Sequence, residues 1–414
     1  MRRPRVVFAV IAVLLFLVIV IALVWINVSL AHQLPGGRDF LANWTGARAF
    51  LFGKNDPYGV IAGSKIQLLI YGRMARPGEY PYRPQYPFYI LFLYFPFALI
   101  ADPSLARGLW MMASEIALAG VGLLSLRLSE WRPRRILIAA FILFSIFWFY
   151  GTYPLLEGDA VIMMALVFVG ALLAIRSGLD ELAGALLALS TFKWEVGGLF
   201  LLFVLVWTLS HRRWRVVAGF LMALFVMLGI AAVLYPDWLL AFLRAVVVNL
   251  KNETGLTPGD LFVQWWPDIG RQLGWTLTII LAVILLLEWR AARGLEFRRF
   301  FWTACLTLTI TPLLGIRTTP INYIVLLLPL TLILAIAEKR WQSGKWYIIA
   351  IMLMVFVGPW ALFWQSTIGH LNSQDITMFL PLPVLVLIGL YWIRWWIIHP
   401  PRTWLDDVTQ DKQG

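Results

Sequence analysis

"VVFAVIAVLLFLVIVIALVWI", residues 6–26, runs without one polar or charged side chain and directly follows Arg2, Arg3 and Arg5. A helix of about 20 apolar residues is what a bilayer core of about 30 Å requires. The run is too long for the apolar region of a cleaved leader, about 7–15 residues, although Ser29 and Ala31 imitate a small-x-small cleavage site. It reads as an uncleaved anchor. Outward from it, similar runs recur near 104–127, 136–150, 160–176, 181–192, 196–210, 214–234, 275–289, 300–314, 321–337, 346–366 and 378–397. The 414-residue chain is 61% hydrophobic and 14% charged, with a mean hydropathy of +0.80. A soluble domain carries about 25% charged residues. The pattern predicts an all-α polytopic membrane protein of about 11–13 transmembrane helices, one integral membrane domain over 1–414. A β-barrel is excluded, because the runs are continuous instead of alternating.

The net charge of +12 suggests nucleic acid at first sight, and its distribution argues against it. Basic residues cluster in "MRRPR", "WRPRR", "HRRWR", "EWRAARGLEFRR" and "EKRWQSGK", each beside an apolar run. Cytoplasmic loops of an inner (plasma) membrane protein look like this, so the N-terminus is expected inside. The acidic and aromatic loops 31–85, 151–159, 235–273, 315–320 and 367–377 are then expected on the extracytoplasmic side. Counting spans from each end leaves a discrepancy of one crossing around 86–103, where Pro96 interrupts an apolar stretch. Either that stretch does not span or a short segment, 136–150 or 181–192, is misread. Cys305 stands alone in an apolar run, and the four histidines are scattered, so neither a disulfide framework nor a metal site is expected.

Just past the first run comes "GGRDFLANWTGARAFLFGKNDPYG", residues 36–59. Phe40, Trp44, Ala47 and Leu51 fall at helical spacing over 39–53, with Gly53 as a terminator. Residues 60–75 form a second, weakly amphipathic stretch, and both are expected to lie along the membrane interface. The second long outer loop, 235–273, opens with another amphipathic helix and continues as a polar, aromatic loop with an Asn252 glycosylation sequon. No internal repeat or low-complexity tract is visible.

The order Asp39, Phe40, Trp44, Ala47, Arg48, Gly53, Pro57 and Tyr58 after a first span resembles the start of the family 87 glycosyltransferases. Three later stretches are similar as well: "YPFYILFLYFP", "LEGDAVIMMALVFVGALLA" and "LAGALLALSTFKWEVGGLFLL". The second carries Gly158-Asp159 where the family usually has Gly-Gln. In "RTTPINYIVLLLP" Asn322 and Tyr323 stand where members often carry histidines. The resemblance is close over about 1–210 and rests mainly on hydropathy beyond. It implies a GT-C-like bundle with short interfacial helices, and inverting transfer of a hexose such as mannose. The donor it implies is a polyprenyl phosphate and the acceptor a glycan or glycolipid, with no cofactor.

Such chemistry needs a base for the acceptor hydroxyl and cations for the departing phosphate. Asp39 is the candidate base; alternatively it caps the helix after Gly36-Gly37. Lys193 and Arg317 are the candidate phosphate ligands. For Lys193 the alternative is a local partnership with Glu195, and for Arg317 an ordinary interfacial position. Asn43, Arg48, Tyr58, Arg83, Glu157 and Asp159 are candidate acceptor-binding or supporting residues. Glu157 and Asp159 also fit a solvated turn, and Asp260, Gln264, Trp265 and Trp266 fit either a sugar-facing surface or an aromatic belt. The rival reading is a transporter or lipid flippase, which would place polar residues at mid-membrane with paired interrupted helices. Here the informative polar residues gather in outer loops and at span ends.

Overall fold

The computed structural model describes residues 3–34, 36–77, 79–84, 86–251, 255–293, 296–340, 344–367 and 378–398. Asn252, most of the expected outer loop 367–377 and the C-terminal basic segment lie outside them. Among the described residues no β-strand forms, and one antiparallel bridge joins Leu256 to Thr318. The first half holds α1 (Arg3–Gln33), α2 (Arg38–Gly53), α3 (Val60–Tyr71), α4 (Phe88–Leu91), α5 (Phe95–Ala98) and α6 (Pro103–Leu128). After them come α7 (Arg135–Phe147), α8 (Phe149–Glu157), α9 (Val161–Arg176), α10 (Asp180–Leu189) and α11 (Trp194–Ser210). The second half holds α12 (Trp214–Leu234), α13 (Trp238–Lys251), α14 (Pro258–Trp265), α15 (Gly270–Ala291), α16 (Phe297–Ile310), α17 (Leu327–Arg340), α18 (Gly344–Thr367) and α19 (Pro381–Ile398).

The protein is therefore a polytopic helical membrane protein. Among the described residues five helices are long and apolar enough to cross a bilayer, or seven if each of two bent pairs forms one span. A total of eleven or more would have to enlist shorter apolar helices of 10–17 residues, such as α9 and α11. Polar punctuation is what shortens them: Arg176 closes α9 and Lys193 precedes α11. Pro320–Arg340 is the central span, with 94% of its apolar stretch buried, against 22% for the lipid-facing α12.

The crossing left open around 86–103 resolves structurally. That stretch forms only the short helices α4 and α5, which fold back beneath α2. Asp102 then caps α6 by accepting from the amides of Ser104 (3.1 Å) and Leu105 (3.2 Å), with Pro103 in the first turn. The expected outer loop 151–159 is mostly helix: α8 follows α7 after a 46° bend at Trp148 and ends at Gly158.

The helix α2 is more enclosed than one lying freely along an interface. The chain turns by 97° between α1 and α2, so α2 runs across the end of the first span instead of prolonging it. It is then enclosed by α3, α4, α5, α6 and α8. Phe40, Trp44 and Ala47 are buried as the helical spacing predicts, and Asn43 and Thr45 are buried too. Phe40 stacks into a cluster with Tyr94, Phe97 and Trp110, the Tyr94–Trp110 centroids lying 4.6 Å apart. This packing fixes the first turn of α2, and with it Asp39.

Candidate active site

The turn into α2 is built from backbone that only glycine adopts easily. Gly36 and Gly37 have φ of 127° and 72°, and a Cβ on Gly37 would stand 2.5 Å from Nε of Arg107. Arg107 donates to the carbonyls of Leu34 and Leu156, both at 3.0 Å, and so clamps the end of α1 to the end of α8 across this turn. On the other side Gly158, at φ 71°, lies so close to Phe40 that a Cβ would stand 2.4 Å from the Phe40 Cβ. Two glycine contacts thus seat the first turn of α2 between an arginine and the 157–159 turn. Gly37 occupies the cap position and makes no side-chain cap bond; Asp39 lies inside the first turn. Its carboxylate is not spent as a helix cap.

Behind this turn lies a buried polar net. The Lys193 ammonium donates to Asp159 Oδ2 at 2.5 Å and to Asn322 Oδ1 at 2.7 Å. The other oxygen of Asp159 accepts from the Tyr86 hydroxyl (3.0 Å) and the Val161 amide (2.7 Å), and Asn322 donates to Thr318 Oγ1 at 2.9 Å. Lys193 and Asp159 are only 6% and 3% exposed, so their charges are compensated inside the protein. The ion-pair partner of Lys193 is Asp159, 34 residues away in sequence, where a local partnership with Glu195 was the alternative. Asp159 is a fully used acceptor and not a solvated turn residue.

Asp39 differs from Asp159 in kind. Its carboxylate is partly exposed and accepts no hydrogen bond among the described residues. Burial and the nearby negative charges of Asp159 and Glu157 push its carboxyl well above the usual carboxylate range, against the opposing pull of Lys193 and Arg38. Glu157 accepts from the Arg38 amide at 3.4 Å, and Arg38 reaches the Tyr82 hydroxyl at 3.4 Å. An open carboxylate, a cation beside it and a helix N-terminus form an outer layer over the buried net.

Several other expected residues hold the fold around this layer. Arg48 donates to the carbonyls of Ala98 (2.6 Å) and Ile100 (2.9 Å) and lies over the rings of Trp44 and Phe52. Those bonds spend its guanidinium on tying α2 to the folded-back segment. Tyr58 donates to the Tyr86 carbonyl at 2.7 Å. Asn43 bonds back to the Asp39 carbonyl at 2.8 Å, and its Oδ1 is buried without a partner. Arg83 is half-buried, with its Nε unpartnered. Arg317 is exposed, one residue before Thr318, at the rim of the net. In the second outer loop Asp260 closes a capping box with Thr257, while Trp265 and Trp266 are about half exposed.

Arg107, Tyr86 and Thr318 were not picked out by the sequence reading. Arg107 carried a signal, since an arginine within an apolar helix is costly unless it is bonded. Tyr86 and Thr318 carried none that separates them from other tyrosines and threonines. Among the described residues no group of His, Cys, Asp and Glu gathers that fits a metal ion.

A family model described as glycosyltransferase family 87 matches residues 85–314, more than half of the chain. That range includes Tyr86, Arg107, Glu157, Asp159 and Lys193, and leaves Asp39 and Asn322 outside it. No curated protein and no solved structure matches the chain.

Proposed function

The chain belongs to glycosyltransferase family 87, and from that premise we propose a membrane hexosyltransferase that uses a polyprenyl-phosphate sugar, of the mannose type, as donor. The acceptor is a hydroxyl of a glycan or glycolipid at the extracytoplasmic face of the plasma (inner) membrane, with the N-terminus on the cytoplasmic side. Transfer is a single inverting displacement. Asp39 takes the proton of the acceptor hydroxyl and the acceptor oxygen bonds to the anomeric carbon. The bond from that carbon to the phosphate oxygen breaks, and polyprenyl phosphate leaves with the electron pair. One carboxylate suffices, since no covalent sugar–enzyme intermediate is needed.

The observation that carries this reading is the open, partly buried Asp39 carboxylate, whose affinity for protons is raised by burial and by the charges of Asp159 and Glu157. A carboxylate with a raised pKa is a stronger proton acceptor than an ordinary one. In this reading the leaving phosphate is steadied by Arg317 and Arg38 at the exposed rim, with guanidinium forks suited to phosphate oxygens. Lys193, held by Asp159 and Asn322, supports them from below through its field. Glu157 and Arg83 flank the acceptor side.

The test is transfer from radiolabelled polyprenyl-phosphate sugars to membrane acceptors by purified Asp39→Asn protein. The expected result is loss of turnover with donor binding retained. Turnover at the wild-type rate would remove Asp39 from the mechanism.

A further inference from the structure

At the opposite end of the bundle from Asp39 lies a cavity of about 630 Å³, within the range of about 300–1,000 Å³ found for ligand pockets. Helices that leave the candidate active site run to its walls. Asp159 precedes α9 and Arg176 closes it; Lys193 precedes α11, whose Trp207 lines the cavity. Asn322 leads into α17, which ends in Lys339 and Arg340. The 16 residues of α9 set the two ends about 24 Å apart at about 1.5 Å per residue. This is a separate place in the molecule.

The cavity's charge is unbalanced. Arg176, Arg213, Arg298, Lys339 and Arg340 line it against only Glu130 and Glu296. Arg213 is committed to Asp180 and to the Ile175 carbonyl at 2.8 Å. Arg176 is committed to Glu130 and to the carbonyls of Arg127 and Leu128. Arg298 shares Glu130 from 3.8 Å. Lys339 and Arg340 are exposed and have no carboxylate within ion-pair distance among the described residues, although Arg340 lies over the Trp396 ring at 5.4 Å. The last turn that carries them is held in place: Glu338, beside Lys339, accepts from the Trp131 indole at 2.5 Å.

The remaining wall is apolar. Phe301, Leu332, Ile336 and Ile397 line it, and the neighbouring helix α19 exposes Trp392 (46%) and Trp395 (60%), as residues at a membrane interface do. Surplus cations over an apolar wall match a ligand with an anionic head and a hydrocarbon tail. We infer that this cavity binds the phosphate head of an anionic phospholipid, with its acyl chains along the exposed face of α19. This is a lipid site distinct from the transfer site. It would be occupied from the leaflet that the basic loops face, and it needs no donor sugar.

The experiment places the purified full chain in nanodiscs of phosphatidylcholine with a minor share of phosphatidylglycerol. Retained lipid is then counted by native mass spectrometry after release into detergent. Wild type is expected to keep phosphatidylglycerol selectively, and Lys339→Ala/Arg340→Ala to keep about tenfold less, from the loss of two cations near an anionic surface. Lys339→Arg/Arg340→Lys should retain it, which separates charge from misfolding. Soluble glycerol phosphate should fail to displace the lipid. Equal retention of both lipids by wild type, wild-type retention by the double alanine variant, or full displacement by glycerol phosphate would overturn the inference.

Discussion

The two ends of the bundle use charge in opposite ways, though they share α9, α11 and α17. Beneath Asp39 two strong charges are sunk and matched: Lys193 and Asp159 face each other, and the remaining oxygen of Asp159 is filled by a hydroxyl and an amide. At the other end five cations surround an open cavity, and two of them have no acidic partner among the described residues. A matched buried pair cannot bind a ligand strongly without losing its partner, whereas surplus exposed cations can. The first arrangement suits holding a neighbouring group in place, and the second suits capturing an anion. Within the matched end Asp39 is the exception, a carboxylate left open beside a compensated pair. That contrast is what singles it out.

The largest effect is expected where the exception is removed. Asp39→Asn should lower turnover by about 10²–10⁴-fold, measured as sugar transferred per enzyme. Because the Asp39 carboxyl is held above its unfolded value, its stabilising contribution is present at low pH and is lost as pH rises through the folded value. The same variant should therefore melt at a higher temperature than wild type at neutral pH.

Next comes the matched pair itself. Lys193→Met leaves Asp159 buried without its cation, at a cost of about 3–5 kcal/mol, visible as a lower melting temperature in detergent. Lys193→Met with Asp159→Leu should recover most of that loss. If the single variant melts like wild type, the two ends do not differ in the way described.

A smaller loss is expected at the hinge. Gly37→Ala adds a Cβ against Arg107 at a left-handed backbone position, with strain of about 1–3 kcal/mol. Turnover should fall more than donor binding, because the substitution moves the first turn with Asp39 and Arg38 and leaves Lys193 and Arg317 in place. The mildest change sharpens the electrostatic side of the comparison. Glu157→Gln removes one of the negative charges that raise the Asp39 carboxyl. The acid limb of the pH–rate profile should move to lower pH, and a shift to higher pH would contradict the placement of Glu157 near the base.

Much of the fold was legible in local composition. Apolar runs bounded by arginines gave most of the helices, and the spacing of Phe40, Trp44 and Ala47 gave the buried face of α2. The failures have a common physical cause. The bend between α1 and α2, the short helices α4 and α5, and the break at Trp148 are all set by what packs against them. Hydropathy reports the preference for lipid or protein over water and does not tell those two apolar surroundings apart. The site divides in the same manner. Asp39 stood out for its neighbours in sequence, while Lys193 was read as a phosphate ligand with Glu195 as the alternative partner, and its ion-pair partner lies 34 residues away.

Sequence alone determined that this chain is a helical membrane protein, that its basic residues cluster beside apolar runs, and that Asp39 follows a glycine pair, because periodicity, charge and glycine conformation are local properties. Only the tertiary structure decided that Asp159 is consumed by Lys193 and Tyr86 while Asp39 stays open, and that Lys339 and Arg340 face a cavity without acidic partners among the described residues. Whether a charge is spent or free depends on groups brought together from distant parts of the chain.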